Sequence, residues 1–189
     1  MEKRITAPFS DECVRSLKAG DNVLISGVVY TARDAAHVRM AKTLAAGGAL
    51  PVDLRGQVLY YLGPAPAKPG HAIGSAGPTS SYRMDANTPA LLELGLKGMI
   101  GKGRRGPAVI KKMQEFPAVY LAATGGAAAL LAKCIVASEV VAYEDLGTEA
   151  IRRLEIRDFP AIVAVDCYGG NQYETGPAEY LEQKRGQGA

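Results

Sequence analysis

Strand-like and helix-like segments alternate along the chain from about residue 87 onward, and this order leaves few folds open. Short apolar runs are separated by segments with helical spacing, and Gly or Pro stands at most of the borders. Alternation of this kind is typical of a layered α/β domain with a partly parallel sheet. We predict helices at 88–96, 107–115, 125–135 and near 149–154, and strands at 97–101, 118–124, 139–146 and 161–168.

The first third of the chain has the same kinds of segment but longer connections between them. Ser10 is the predicted N-cap of a short helix, and Gly20 is predicted to lie just past its end. Because the connections are long, we expect a mixed sheet flanked by helices, not a purely parallel one. We predict one domain over residues 1–189, with a polar C-terminal tail at 176–189 as a loosely held helix. The predicted elements here are strands at 22–32 and 56–66 and a helix at 34–46.

Composition excludes several classes of function. The net charge is only +3 and the basic residues are mostly scattered, so nucleic-acid binding is not expected. No apolar window approaches the length of a membrane span, and the first residues carry charges where a signal peptide needs an apolar run. The three cysteines are far apart and lack CxxC spacing, which favours neither a disulfide framework nor a cluster-ligand set. We therefore expect a cytoplasmic protein with no membrane contact.

The segment TARDAAH, residues 31–37, stands at a predicted strand-to-helix junction. Arg33 follows the strand, and Asp34 is the predicted cap of the helix. Open α/β sheets bind ligands at the carboxyl ends of their strands, so Arg33 is a candidate anion ligand. The alternative is that Arg33 lies on the surface and that His37 lies on a helix face.

The segment GSAGPTSSYRMD, residues 74–85, resembles neither a helix nor a strand. A Gly-Pro bend precedes three hydroxyl side chains, beginning with Thr79. The guanidinium of Arg83 can bind a carboxylate through two parallel hydrogen bonds. The alternative is a serine-rich turn in which Arg83 pairs with Asp85. Ser80 and Ser81 are expected to supply supporting hydrogen bonds only.

Two glycine-rich segments could bind anions. GKGRRG, residues 101–106, matches the GxGxxG pattern of dinucleotide loops, but no acidic residue follows about twenty residues later to bind a ribose. We interpret it as a glycine hinge that presents Lys102 to an anion. ATGGAAAL, residues 122–129, places a glycine pair at a predicted helix start, where backbone N–H groups are free or where helix and strand pack closely.

Taken together, Arg33, Arg83 and Lys102 are cations at strand ends or glycine turns, and the hydroxyl of Thr79 is close to one of them in sequence. Three cations around a hydroxyl suit a small dicarboxylate better than a phosphate ester. Neither a metal-ligand cluster nor a Ser–His–Asp arrangement is apparent in the sequence. The pattern indicates one half of an active site.

Residues 74–103, with TARDAAH and VYLAATGGAAALLAKCI, resemble the β subunit of class I iron–sulfur fumarate hydratases. The same region forms the C-terminal domain of single-chain members, and the β subunit of L-tartrate dehydratase shares the pattern. The similarity extends from about Ile5 to Tyr173. It departs from the family in DCYGGNQY, where Tyr168 replaces a histidine that is common in the family.

The resemblance implies a swivelling β/β/α domain and a hydro-lyase that interconverts fumarate and S-malate. It implies that Arg33, Arg83 and Lys102 bind substrate carboxylates and that Thr79 is the base that removes the carbon-bound proton. It also implies an α subunit that carries a [4Fe–4S] cluster through its own cysteines, supplies the acid, and joins this chain in an α2β2 assembly. This chain would then bind no metal.

Three other functions stay open from the sequence. The first is the β subunit of a tartrate dehydratase, whose substrate differs by one hydroxyl. The second is a non-catalytic module that binds a dicarboxylate, and the third is a nucleotide-dependent oxidoreductase that uses residues 101–106.

Overall fold

The computed structural model describes residues 2–186. Within this range, no helix is both long and apolar enough to span a membrane. The strands are β1 (Lys3–Ala7), β2 (Asn22–Thr31), β3 (Val58–Tyr60), β4 (Gly98–Gly101), β5 (Val119–Ala122), β6 (Ile135–Ala142) and β7 (Ile151–Val165). The helices are α1 (Asp11–Ser16), α2 (Asp34–Ala45), α3 (Thr88–Glu93), α4 (Pro107–Glu115), α5 (Ala128–Ala132) and α6 (Gln172–Gly186), with 3-10 turns at Ser81–Met84 and Glu144–Glu149.

The strands described form one seven-stranded sheet in the order β1-β2-β3-β4-β5-β7-β6. The first five strands of this order run parallel to one another, and β7 runs antiparallel to β5, β6 and β2. Because β7 pairs with both β5 and β2, strands β2, β3, β4, β5 and β7 close into a ring. The predicted mixed sheet flanked by helices is therefore confirmed.

Successive side chains of the short central strands pack into two separate hydrophobic cores. In β3, Val58 and Tyr60 point into the core enclosed by the ring, whereas Leu59 packs on the opposite face with helices α2, α3 and α4. In β5, Val119 and Leu121 belong to the first core. Successive side chains of a strand point to opposite faces, and both faces are covered here, so these strands are continuously apolar.

The C-terminal half contains the main errors of the sequence prediction. Residues 149–154 were predicted to be helical, but from residue 151 they belong to the 15-residue strand β7. In β7, buried Leu154 and Ile156 alternate with exposed charged residues, and pairing with β2 and β6 on its two sides fixes the extended form. Strand β6 begins at Ile135, so α5 is shorter than the predicted helix at 125–135.

The chain termini also differ from the prediction. Strand β1 was not predicted, and α1 ends at Ser16, well before Gly20. The N-cap prediction is confirmed, because the Ser10 hydroxyl accepts a hydrogen bond from the Cys13 N–H at 3.1 Å. Helix α6 begins at Gln172, before the predicted tail at 176–189, and residues 187–189 lie outside the described part of the chain.

Candidate functional site

The four candidate residues lie around one edge of the sheet. Strands β2, β3, β4 and β5 are parallel, so their carboxyl ends meet at this edge. Arg33 follows β2 and Lys102 follows β4 directly, while Thr79 and Arg83 lie on the connection between β3 and α3. This is the edge at which open α/β sheets bind ligands.

Backbone hydrogen bonds join the segment that begins at Thr79 to Lys102, which pairs with Ser80. The Thr79 N–H donates to the carbonyl of Tyr61 at 2.7 Å, and the Thr79 carbonyl accepts from the Lys102 N–H at 3.2 Å. The Ser81 N–H then donates to the Lys102 carbonyl at 2.8 Å. Residues 78–80 thus form a short extended segment at the ends of β3 and β4, directly before the 3-10 turn. Thr79 is nearly buried, whereas Lys102 is exposed.

The residue before Lys102 must be a glycine, because Ser81 lies too close to it to leave room for a side chain. A Cβ atom at Gly101 would lie 2.0 Å from the Ser81 Oγ atom. The Ser81 and Tyr120 hydroxyl oxygens are 2.9 Å apart, and Tyr120 donates its own proton to the Gly103 carbonyl at 2.8 Å. Ser81 is therefore the donor to Tyr120, so it has the supporting role predicted for it.

Arg33 and Arg83 meet at a single carboxylate, that of Asp34. The Nε atom of Arg83 lies 2.7 Å from Oδ1 of Asp34, and the Nε atom of Arg33 lies 3.1 Å from Oδ2. Partial burial of Asp34 opposes its charge, but hydrogen bonds from its own backbone N–H and Arg33, together with both guanidinium charges, hold its pKa below the ordinary value. The alternative pairing of Arg83 with Asp85 is not formed.

A second carboxylate reaches the same place from residues far along the chain. Oε2 of Glu149 accepts a hydrogen bond from the Ala35 N–H at 2.6 Å, and Oε1 lies 3.5 Å from Nη2 of Arg33. Asp34 was predicted to cap α2, but it is the first residue of the helix, and Glu149 accepts from the first turn. The sequence contains no local signal for this contact, because the two segments are distant in sequence.

A buried ion pair supports the segments that carry Arg83 and Lys102. Arg105 donates from Nε to Oδ1 of Asp85 at 2.7 Å, from Nη1 to the Tyr61 hydroxyl at 2.9 Å, and from Nη2 to the Thr88 hydroxyl at 2.9 Å. The Gly106 N–H donates to Oδ2 of Asp85 at 2.6 Å. The sequence analysis did not predict this ion pair, because Arg105 belongs to a run of basic residues, and such runs are usually exposed.

His37 lies beneath this site and not on an exposed helix face. Its Nδ1 atom is 3.0 Å from the Arg33 carbonyl, which can only accept, so Nδ1 carries the proton. Nε2 has no hydrogen-bond partner, and the ring packs edge-to-face on Tyr61. Burial lowers the pKa of His37 to about 4, with the nearby charge of Arg105 acting in the same direction. The imidazole is therefore neutral near pH 7.

A sequence model described as "Fumarase C-terminus" matches residues 2–176 of this chain. The chain belongs to the fumarase C-terminal family. A putative class I fumarate hydratase of Geobacillus stearothermophilus is 38% identical over 184 residues, which cover 95% of this chain and 35% of that protein. The resemblance predicted from residues 74–103 is thus confirmed.

Two further relatives of this fumarase C-terminal chain differ in how much of them it covers. The putative L(+)-tartrate dehydratase subunit beta of Methanocaldococcus jannaschii is 38% identical over 167 residues, 85% of this chain and 86% of that protein. The aerobic class I fumarate hydratase of Escherichia coli is 36% identical over 152 residues, 79% of this chain and 28% of that protein. The chain therefore spans about a third of these fumarate hydratases but most of the tartrate dehydratase subunit.

Tyr168, the departure from the family pattern, lies away from the four candidate residues. It follows β7 at the edge where β5 begins, because Val165 pairs with Tyr120. The Tyr168 hydroxyl donates to the Arg15 carbonyl at 3.1 Å, and the Lys18 ammonium lies 3.3 Å from the centre of the ring. These contacts attach the end of β7 to the end of α1.

The cysteines of this fumarase C-terminal chain do not form a cluster site. Cys167 is buried, with its Sγ atom 3.9 Å from the Val14 carbonyl, and Cys134 lies by the Asp158 carbonyl. Burial raises the pKa of both thiols, which opposes the thiolate form that iron requires. Within residues 2–186, no group of three or more His, Cys, Asp or Glu side chains could hold a metal ion. The residues described thus do not fit an iron–sulfur cluster.

Proposed function

We propose that this chain is the β subunit, or the equivalent domain, of a hydro-lyase that interconverts fumarate and S-malate. The observation that carries the proposal is the meeting of Thr79, Lys102 and the Arg33–Asp34–Arg83 group at one sheet edge. The family relationship to proteins named class I fumarate hydratase supports the choice of reaction.

The proposed roles follow from charge and position. Fumarate hydration places a hydroxyl on one carbon and a proton on its neighbour, and the reverse reaction removes that proton beside a carboxylate. Fixed positive charge stabilises the negative charge that develops on the carboxylate. Lys102 is exposed and has no carboxylate partner within residues 2–186, and Arg83 is 42% exposed. Both are therefore available to substrate carboxylates.

Thr79 is the proposed base. A threonine hydroxyl is a weak base, so it can accept or lose a proton only where positive charge and hydrogen bonds favour the alkoxide. The Lys102 N–H donates to the Thr79 carbonyl, so a cationic residue is joined to the segment that carries Thr79. The proposed acid comes from the partner subunit.

The proposed partner is an α subunit that carries a [4Fe–4S] cluster, joined to this chain in an α2β2 assembly. The name of the Methanocaldococcus relative, a subunit beta, supports a two-subunit enzyme. The scattered positions of this chain's cysteines support a cluster held elsewhere. The three free thiols also support a cytoplasmic location.

Tartrate dehydration is the second candidate. It is supported by one observation, which is that a putative L(+)-tartrate dehydratase subunit beta is 38% identical to this chain, the same identity as the putative class I fumarate hydratase. The chemistry is the same loss of water from a hydroxy-dicarboxylate. An activity assay with both substrates distinguishes the two functions.

Anaerobic reconstitution tests both candidates. The purified chain is combined with a cluster-loaded α partner, and hydration of fumarate and dehydration of L-tartrate are measured side by side. We expect turnover of fumarate by the complex, and a colourless, inactive chain when it is alone. Turnover of L-tartrate alone would select the second candidate. Dicarboxylate binding with no turnover by a competent partner would instead identify a binding module.

A further inference from the structure

Asp34 lies between the two arginines of the site, and neither arginine contacts a different carboxylate more closely. Its Oδ1 atom is 2.7 Å from Nε of Arg83, and its Oδ2 atom is 3.1 Å from Nε of Arg33. The side chain of Asp34 is 27% exposed, so the pair is only partly screened by solvent. One carboxylate thus links α2 to the 3-10 turn at Ser81–Met84.

We propose that Asp34 is a positioning residue that orients Arg83 for the substrate carboxylate, an inference that rests on the proposed function. Nε of Arg83 is the guanidinium nitrogen nearest to Asp34, and among residues 2–186 no other carboxylate forms an ion pair with Arg83. A guanidinium binds a carboxylate best through two parallel N–H groups. Because Nε lies closest to Asp34, the edge formed by Nη1 and Nη2 is the one available to a ligand.

The surroundings of Arg33 differ from those of Arg83. Arg83, and not Arg33, is the arginine with an open edge for a ligand. Arg33 is only 22% exposed, and its Nη2 atom already faces Glu149 at 3.5 Å. A Cβ atom at Gly63 would lie 2.7 Å from Nη1 of Arg33, so the guanidinium lies directly against the backbone there. Arg33 is thus enclosed by two carboxylates and a glycine, whereas Arg83 has one carboxylate and an open edge.

The charges of the group are consistent with this assignment. Asp34 and Glu149 together balance the charges of Arg33 and Arg83, and Lys102 is the remaining cation. Removing Asp34 leaves Arg83 with no carboxylate to fix its rotamer. An arginine side chain has many rotamers, so a freed Arg83 must be ordered again each time substrate binds.

The test is the kinetics of Asp34→Asn in the reconstituted complex. Ordering of Arg83 affects the bound substrate and the transition state alike, so we expect KM for fumarate to rise about tenfold while kcat stays within about threefold. Asp34→Glu retains the negative charge and should recover most of the lost affinity. An unchanged KM in Asp34→Asn, or a loss confined to kcat, would overturn the proposal.

Asp145→Asn is the matched control. Asp145 pairs with Arg39, which also belongs to α2, and the Nη2–Oδ2 distance of 2.6 Å is similar, but Arg39 and Asp145 contact none of the four candidate residues. We expect an unchanged KM in this variant. A rise equal to that of Asp34→Asn would mean that the effect reflects the stability of α2, and would contradict a positioning role.

A second measurement separates this inference from the proposed function. The Arg83 side chain should be more ordered in the isolated wild-type chain than in Asp34→Asn, as measured by ¹⁵N relaxation of its Nε atom and assigned with Arg83→Lys. If the wild-type complex turns over neither substrate, the proposed function is wrong, and this relaxation measurement alone decides the role of Asp34. Equal order of Arg83 in both proteins would overturn that role.

Discussion

Arg105 and Asp85 form an ion pair of 2.7 Å in which the arginine side chain is fully buried. The pair joins the loop after β4 to the turn that carries Arg83. Besides the two hydroxyls described above, the guanidinium lies 3.5 Å from the sulfur atom of Met99 and 5.3 Å from the ring centres of Tyr61 and Tyr120. Buried charge is stable only when it is paired in this way.

We expect Arg105→Met to lower the free energy of unfolding by about 3–5 kcal/mol, because it leaves the Asp85 carboxylate without its partner. Urea denaturation measures the change. Asp53→Asn is the control, since Asp53 and Arg55 form an ion pair on the exposed surface, and its midpoint should not move. Similar midpoints for wild type and Arg105→Met would show that the pair does not stabilise the fold.

Arg83→Ala should lower kcat/KM of the reconstituted complex at least about tenfold, equivalent to ~1.4 kcal/mol of transition-state binding. The open edge of this guanidinium is the proposed site for a substrate carboxylate. Arg83→Lys keeps the charge but loses the paired N–H groups, so its activity should be intermediate. Arg55→Ala, at an exposed pair elsewhere, serves as the control. Near-normal activity of Arg83→Ala would limit Arg83 to a structural role.

Thr79→Val keeps the shape of the side chain and removes the hydroxyl. If Thr79 moves the proton, kcat should fall by about 10²–10⁴ with little change in KM, and Thr79→Ser should retain much of the activity. Stopped-assay kinetics with fumarate measure both constants. Ser80→Ala should leave them unchanged. A rise in KM with a normal kcat in Thr79→Val would show that the hydroxyl only positions the substrate.

His37 should make stability depend on pH below neutrality. Its pKa is about 4 in the folded chain and near 6.5 when unfolded, so the unfolded state binds the additional proton between these values. The contribution of neutral His37 to the free energy of unfolding is therefore fully present above about pH 6.5. It decreases as the pH falls toward 4, by at most about 1.4 kcal/mol per pH unit. Urea denaturation at several pH values measures this slope.

His37→Gln removes the contribution, so its stability should vary less than that of wild type between about pH 5 and 7. The other histidine, His71, is exposed, and His71→Gln should retain the wild-type slope. Parallel slopes in wild type and His37→Gln would mean that other groups account for the pH dependence.

Local signals predicted much of the fold. Helix α4 has the predicted bounds, Pro107–Glu115, because a proline at a helix start and an amphipathic pattern are both local features. The first half of strand β7 was predicted incorrectly, because its charged sequence is locally compatible with a helix. Pairing with two neighbouring strands makes it extended. Pairing partners are distant in sequence, and tertiary context overrides local preference.

Local motifs were enough to predict the family, and TARDAAH, GPTSSYRMD and GKG contain the candidate hydroxyl and the three candidate cations. How these groups are paired depends on the tertiary structure. Asp34 bridges Arg33 and Arg83, and Asp85 pairs with Arg105, because closure of the β-ring brings separate strand ends to one edge. Charge pairing depends on distances in space, and a linear pattern of residues does not contain them.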